Sequence, residues 1–194
     1  MAYSDPKIFD DVMREHGQVP VVVSYVSHSR LKRGLDLLVS LAFLALVLPL
    51  FAVIALGLRK SGDGTIFDRR PVIGRKGAEF NALLFRSDAN TRLGRWLRGT
   101  GLGSLPQLLN VLFGHMSLVG PKPLQIGEFD GLKNSVSLYM TVRPGLTGLW
   151  FVSDERSMGA VARTRLDRIY IKTGSLLMDL GILLRTPFVF LRLA

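Results

Sequence analysis

The sequence of 194 residues contains no cysteine. A disulfide framework, a thiolate zinc site and a cysteine nucleophile are therefore excluded. Acidic residues are scarce as well, because Asp and Glu total 15 against 25 Lys and Arg, which gives a formal net charge of +10. A chain with this balance favours anionic partners such as lipid headgroups, phosphorylated substrates or nucleic acid.

Apolar residues, in contrast, make up 48% of the chain, and many lie in one segment from Leu35 to Leu58 whose only charge is Asp36. A straight helix over this segment would be about 36 Å long, enough to cross the hydrocarbon core of a bilayer. Pro49, near its middle, bends a helix. Basic residues, which favour the cytoplasmic side, flank both ends: Arg30, Lys32 and Arg33 before it and Arg59 and Lys60 after it. Two topologies remain open, a single span and a re-entrant hairpin that breaks at Pro49 and returns.

Four regions follow from this pattern: an N-terminal extension at 1–29, the membrane segment at 30–60, a cytosolic globular domain at 61–175 and a C-terminal helix at 176–194. Within the globular part, the sequence predicts strands at 65–67 and 79–85 around a turn at 74–77, and helices at 92–97, 105–113 and 158–172. The chain between Pro123 and about Met158 is predicted to be irregular. The fold class is therefore mainly α with a small β element. The last helix fits either an amphipathic helix in the membrane interface or an ordinary core helix.

Arginine is dense in the globular region. Guanidinium groups hold phosphate bidentately, so these residues are candidate ligands for phosphate or pyrophosphate. The alternative is a solvated face or a patch against anionic lipid. Nucleic acid is not expected, because the patch adjoins a membrane segment and no nucleic-acid motif is present. The candidates, with two basic residues from the motifs below, are Arg69, Arg70, Arg75, Arg86, Arg92, Arg95, Arg98, Lys122 and Arg143.

Several segments resemble, in order, the motifs of bacterial sugar transferases, the monotopic polyprenyl-phosphate phosphoglycosyl transferases. Residues 105–112 (LPQLLNVL) match an LPQLxNVL helix, 116–123 (MSLVGPKP) resemble MSLVGPRP, and 143–150 (RPGLTGLW) resemble RPGLTGLWQ. The resemblance covers about residues 30–192 and includes Phe85-Arg86, Asp167 with Tyr170, and the anchor residues Lys32, Arg33, Asp36 and Pro49. It implies a re-entrant helix in the bacterial inner membrane, a domain on the cytosolic face, and transfer of a sugar-1-phosphate from a nucleotide sugar to a polyprenyl phosphate.

The resemblance also implies an adjacent Asp–Glu pair just before the LPQ segment. The Asp attacks the phosphate while Mg²⁺ and basic residues offset the charge. This chain has Gly103 and Ser104 at those positions. Glycine has no side chain, and serine cannot replace a carboxylate as metal ligand or base at neutral pH. Leu84 and Phe151 also stand where the family has a lysine and a glutamine, and Arg70 and Val72 replace the polar residues of a QxRxG pattern.

Scaffold residues thus match while chemical residues do not, which predicts a homologue that keeps the fold and has lost the reaction. Such a protein would bind a cyclic dinucleotide, a nucleotide sugar or a polyprenyl phosphate and regulate exopolysaccharide synthesis, with no cofactor and no metal. Two alternatives stay open. One is an active Mg²⁺-dependent transferase with a relocated nucleophile, chosen from Asp88, Glu128, Asp154 and Glu155. The other is a structural partner that docks on an active transferase without a small ligand. The expected partners are membrane lipid, a nucleotide or polyprenyl-phosphate ligand, and either a second copy of this chain or an active transferase.

Overall fold

The structure, a computed structural model, describes residues 29–61, 65–125, 136–153 and 160–193. These residues are mostly helical with small sheets, which confirms the predicted fold class. The helices are α1 Arg30–Ser61, α2 Arg92–Thr100, α3 Gln107–Leu112, α4 Val136–Tyr139, α5 Leu149–Val152, α6 Ala160–Thr173 and α7 Leu176–Leu193. The strands are β1 Phe67–Ile73, β2 Glu79–Phe85, β3 Ser117–Val119, β4 Leu124–Gln125 and β5 Gly145–Thr147. The predicted extension up to residue 28 and the candidate nucleophiles Glu128, Asp154 and Glu155 lie outside the described residues.

Helix α1 occupies the predicted membrane segment and stays helical across Pro49. One side packs on the domain through buried Ile54 and Leu58. The other side exposes large apolar residues along its whole length, including Leu46, which is 75% exposed. The helix is long and apolar enough to cross a membrane. An exposed apolar face of this extent marks a surface that contacts lipid or another protein.

The first turns of α1 are fastened to the domain by a buried polar cluster. The Lys32 Nζ donates to Asp179 Oδ2 at 2.7 Å and to the Val119 carbonyl at 3.0 Å. Asp36 lies 3.9 Å from the same ammonium and accepts a hydrogen bond from Ser117 Oγ at 2.7 Å. Asp36 therefore pairs with Lys32, which lies one helical turn before it. Lys32 therefore serves the fold as well as marking the membrane flank.

Strands β1 and β2 form an antiparallel hairpin in which Phe67 lies opposite Phe85 and Ile73 opposite Glu79. The prediction of the first strand at 65–67 is wrong, since β1 begins where that range ends. Only the last two residues of β1 are buried, so the sequence shows no alternation that would reveal the strand. At the hairpin tip, Lys76 adopts a left-handed backbone with φ of 60°, and its N–H donates to the Met140 carbonyl at 2.7 Å.

The core surrounds helix α3. Its residues Leu108 and Val111 are buried in one cluster with apolar residues of α1, β2, α6 and α7. Strands β3 and β5 pair in parallel beside it, and their ends approach closely at two glycines. A Cβ on Gly120 would lie 2.7 Å from the Gly145 nitrogen. The predicted irregular stretch contains β4, α4, β5 and α5, each only two to four residues long. Elements this short have no periodicity to predict, because tertiary contacts rather than local preference hold them.

Candidate functional site

The two positions of the missing acidic pair lie in a short 3₁₀ turn, Leu102–Ser104, at the N-terminal end of α3. Gly103 is buried, and a Cβ built on it would meet Ser87 Oγ at 3.1 Å and the Leu97 carbonyl at 3.6 Å. The Ser104 hydroxyl donates to the Gly101 carbonyl at 2.8 Å. The turn leads directly into the helix that the LPQ segment predicts, but it presents no carboxylate.

The other described carboxylates are exposed or are hydrogen-bonded within their own surroundings. Asp88 is exposed, and its Oδ1 accepts a hydrogen bond from the Asn90 nitrogen at 2.9 Å. Asp36 and Asp179 belong to the buried cluster around Lys32. No group of three or more His, Asp or Glu side chains within the described ranges is placed to hold a metal ion.

Asp167 is buried beneath the loop that follows β3. It accepts hydrogen bonds from the Tyr139 hydroxyl at 2.7 Å and from the Lys122 backbone N–H at 3.3 Å. Burial raises the pKa of Asp167 to about 6, although both hydrogen bonds favour the ionised form. Burial and the nearby carboxylate raise the pKa of Tyr139 well above its ordinary value. This pair supports the segment that receives the hairpin tip, since Tyr139 directly precedes Met140.

The structure separates the predicted phosphate-binding arginines into two main groups. The first group lies near the N-terminal end of α3, where Arg98 Nε donates to the Ser87 carbonyl at 2.7 Å and Arg86 bonds to Thr65. Arg92, Arg95 and Arg98 are exposed on α2, and Arg69 and Arg70 are exposed on β1, with Arg70 3.9 Å from Asp68. Lys122 is half-buried near Asp167.

The second group is Arg75 and Arg143, which share a cleft of about 330 Å³ at the C-terminal end of α3. Arg143 Nε donates to the Gly114 carbonyl at 2.8 Å. Burial and the positive charge of Arg143 both lower the pKa of Arg75. Arg33 lies just behind, donating to the Val111 and Leu112 carbonyls at 2.8 and 3.1 Å. Three guanidinium groups therefore gather at the end of a helix whose free carbonyls favour cations.

The remaining cleft residues include some that sequence reasoning missed. Lys76 and His115 add basic groups, and Glu79 is the only acidic residue in the lining. The His115 ring stacks on Phe80 with centroids 5.4 Å apart and an interplanar angle of 17°. The adjacent basic residues Arg75 and Lys76 at the hairpin tip are the only sequence signal of this cleft. Nothing in the sequence connects them to His115.

Comparisons with known proteins agree with the motifs. A family model described as bacterial sugar transferase matches residues 27–193. An uncharacterized sugar transferase of Haemophilus influenzae is 34% identical over 83% of this chain and 41% of its own length. Exopolysaccharide production protein ExoY of Sinorhizobium fredii is 32% identical over 80% of this chain and 83% of its own length. The UDP-galactose-lipid carrier transferase of Erwinia amylovora is 33% identical over 84% of this chain. The chain spans about two fifths of the length of the Haemophilus and Erwinia relatives.

Proposed function

The chain belongs to the bacterial sugar transferase family, and on that premise we propose that it is a catalytically silent member. It binds a phosphate-rich ligand at the membrane and regulates exopolysaccharide synthesis. The observation that carries this proposal is the buried Gly103 at the position of the nucleophile, with Ser104 beside it. A carboxylate is needed there to form a phosphosugar intermediate, and the turn that would present it is intact.

The cationic surroundings support ligand binding without chemistry. Removing two carboxylates from a site lined with arginines takes away the negative charges that would repel a phosphate. Arg98 remains near the vacant position, where its Nε donates to the carbonyl of Ser87, and Arg86 directly precedes Ser87 in the chain. Ligands of suitable chemistry are a nucleotide sugar, a polyprenyl phosphate or a cyclic dinucleotide. A role in exopolysaccharide synthesis is supported by the similarity to exopolysaccharide production protein ExoY.

The contacts of α1 support a monotopic anchor on the cytosolic face of the inner membrane. Lys32, near the start of α1, and Leu58, near its end, are both buried against the same globular part. A straight span would carry one end about 30 Å away from that domain. Both ends on one side fit a re-entrant helix that is bent at Pro49 without losing its helical backbone. Exposed Arg30, Arg59 and Lys60 are then left for lipid headgroups.

A transfer assay tests the silence. The full chain in nanodiscs is incubated with Mg²⁺, undecaprenyl phosphate and radiolabelled UDP-glucose or UDP-galactose, beside a homologue that keeps the Asp–Glu pair. We expect labelled lipid from the homologue and none above background from this chain. Turnover that rises with enzyme concentration would overturn the proposal. Co-purification with the same homologue tests whether regulation acts through a heteromer, and sedimentation of this chain alone tests a homodimer.

The second candidate is an active transferase with Asp88 as a relocated nucleophile. It is favoured by one observation: Ser87, the preceding residue, is the side chain that touches position 103. Any turnover should then vanish in Asp88→Ala and persist in Asp68→Ala, a matched change at another exposed aspartate. Equal activity of both variants would reject Asp88.

A further inference from the structure

We propose that the cleft at the tip of the β1–β2 hairpin is a nucleotide-binding site, in which Arg75 and Arg143 hold phosphate and His115 stacks on the base. The inference deepens the proposed function, because it rests on the protein binding a phosphate-bearing ligand. It does not require that the chain be catalytically silent.

The first argument is an excess of positive charge, because Arg75, Lys76 and Arg143 line the cleft against one acidic residue, Glu79. Arg75 and Arg143 lie close enough for the charge of one to lower the pKa of the other. Among the described residues, no carboxylate lies within ion-pair distance of either guanidinium. Two half-buried like charges repel each other. Bringing them together therefore opposes folding unless a negative charge offsets the repulsion. An anion bound between them offsets this repulsion. Phosphate is a suitable anion, because its oxygens accept two hydrogen bonds from one guanidinium group.

The second argument is that the cleft is fixed before any ligand arrives. Arg143 is held by its hydrogen bond to the Gly114 carbonyl. The opposite wall is held because the Lys76 N–H donates to Met140 and the Gly74 N–H donates to Ala78 at 2.8 Å. Groups that are already ordered lose little freedom on binding. The strained left-handed backbone at Lys76 is of the kind that persists at binding sites.

The third argument concerns the aromatic side of the cleft and favours a nucleotide over a simple phosphate. His115 is exposed and stacks nearly parallel on Phe80, while Phe113, 69% exposed, leans against the same imidazole. Exposed rings beside cations form the combination that holds bases and their phosphates together. The volume of about 330 Å³ lies at the lower end of small-molecule pockets.

The cleft is separate from the position of the missing pair. The neighbours of Gly103 are Ser87 and Leu97, and neither residue lines the cleft. The two places lie at opposite ends of α3. A ligand in the cleft would therefore contact Arg75, His115 and Arg143 without contacting Ser87 or Leu97.

Binding of fluorescent N-methylanthraniloyl GDP and UDP to the full chain in phosphatidylcholine nanodiscs tests the proposal. We expect saturable binding that Arg75→Ala weakens about tenfold or more, as loss of a charged hydrogen-bond partner does. His115→Ala should weaken nucleotide binding about fivefold or more, as loss of a base-stacking ring does, without changing competition by pyrophosphate. Arg165→Ala, a change at an exposed arginine of α6, is the matched control and should bind like the wild type.

Each opposite result is decisive. Pyrophosphate that binds as tightly as the nucleotides, with no effect of His115→Ala, would overturn the nucleotide and leave a phosphate site. If the chain binds vesicles that contain undecaprenyl phosphate but binds neither nucleotide, the cleft would be assigned to a lipid phosphate instead. Nucleotide binding that resists Arg75→Ala and is lost in Arg98→Ala would move the ligand to the other end of α3; it would overturn this inference while the proposed function stands. Turnover in the transfer assay would overturn the proposed catalytic silence and would leave the nucleotide site in the cleft standing.

Discussion

Helix α3 is only six residues long, and its two ends differ in charge, burial and geometry. At its N-terminal end, Gly103 and Ser104 form a buried turn without a carboxylate. At its C-terminal end, Arg33 and Arg143 donate to the last carbonyls of the helix and its following turn, and Arg75 completes a cationic cleft. The ends of a helix prefer opposite charges, anions at the start and cations at the finish.

This difference separates the charges that serve the fold from those that serve the reaction. Arg33 and Arg143 donate to backbone carbonyls at the C-terminal end, so losing either would destabilise the protein. Acids at the N-terminal end have no such structural task in this chain, since the Ser104 hydroxyl already bonds within the turn. The architecture therefore does not depend on acids at these two positions. Four changes test this division, in order of expected effect.

The largest effect is expected at Lys32, which holds the start of α1 beside the C-terminal end of α3. Lys32→Met leaves Asp36 and Asp179 buried without their shared cation. Removing one partner from a buried ion cluster costs about 3–5 kcal/mol, measured as the free energy of unfolding in detergent by denaturant titration. Lys172→Met, at an exposed lysine of α6, should change it by less than about 0.5 kcal/mol. Equal losses in the two variants would show that the cluster contributes nothing specific.

The next effect is a pH dependence from Asp167, which supports the wall that receives the hairpin tip. Because burial raises its pKa to about 6 from 3.8, the folded protein keeps this proton between those values while the unfolded chain loses it. The stability from this group is therefore complete below pH 3.8, declines as the pH rises and is lost above about pH 6. The decline amounts to about 3 kcal/mol at most.

The variant Asp167→Asn isolates this contribution, because asparagine does not titrate. The difference in free energy of unfolding between wild type and Asp167→Asn should fall as the pH rises from 4 to 7, and then stay constant. Denaturant titrations at five pH values in that interval measure it. A difference that stays constant from pH 4 to 7 would mean that the folded carboxyl titrates normally.

A third, smaller effect distinguishes the two arginines of the cleft. Arg143→Ala removes the hydrogen bond to Gly114 and should cost about 1.5 kcal/mol. Arg75→Ala should leave the free energy of unfolding unchanged or slightly higher, because its guanidinium contributes repulsion toward Arg143. Thermal unfolding of both variants without ligand measures this. Comparable destabilisation by both would show that Arg75 has a structural role, and would weaken its assignment to a ligand.

Much of the fold was predictable because local signals were strong. The apolar run of α1, the leucine spacing of α3 and the C-terminal helix α7 each lie where the sequence predicts them. Strand β1 was misplaced because five of its seven residues are exposed, which hides the alternation of a half-buried strand. The interfacial position of α7 remains a prediction.

The candidate site was predictable only in part. The motifs located Gly103 and Ser104, because they lie next to the conserved-looking LPQ segment in the chain itself. The sequence grouped Arg75 with Arg98 and Arg143, although the fold sends Arg98 to one end of α3 and the other two to the opposite end. Lys32 was interpreted as a membrane flank, and its partner Asp179 lies near the other end of the chain. Contacts between residues so distant in sequence leave no periodic signal.

The smallest effect is expected at Gly103 itself, and it bears most directly on the loss of the acid. A methyl group there would lie 3.1 Å from Ser87 Oγ, which needs to move by only a few tenths of an ångström and can keep its hydrogen bond to the Phe85 carbonyl. Alanine also restricts the unfolded chain, so Gly103→Ala should change the free energy of unfolding by less than about 0.5 kcal/mol. Gly120→Ala, whose methyl group would meet the backbone of Gly145 at 2.7 Å, should cost about 1–3 kcal/mol in the same denaturant titration. A loss as large at Gly103 as at Gly120 would mean that packing requires the glycine, and the missing carboxylate would then be a consequence of structure rather than of a lost reaction.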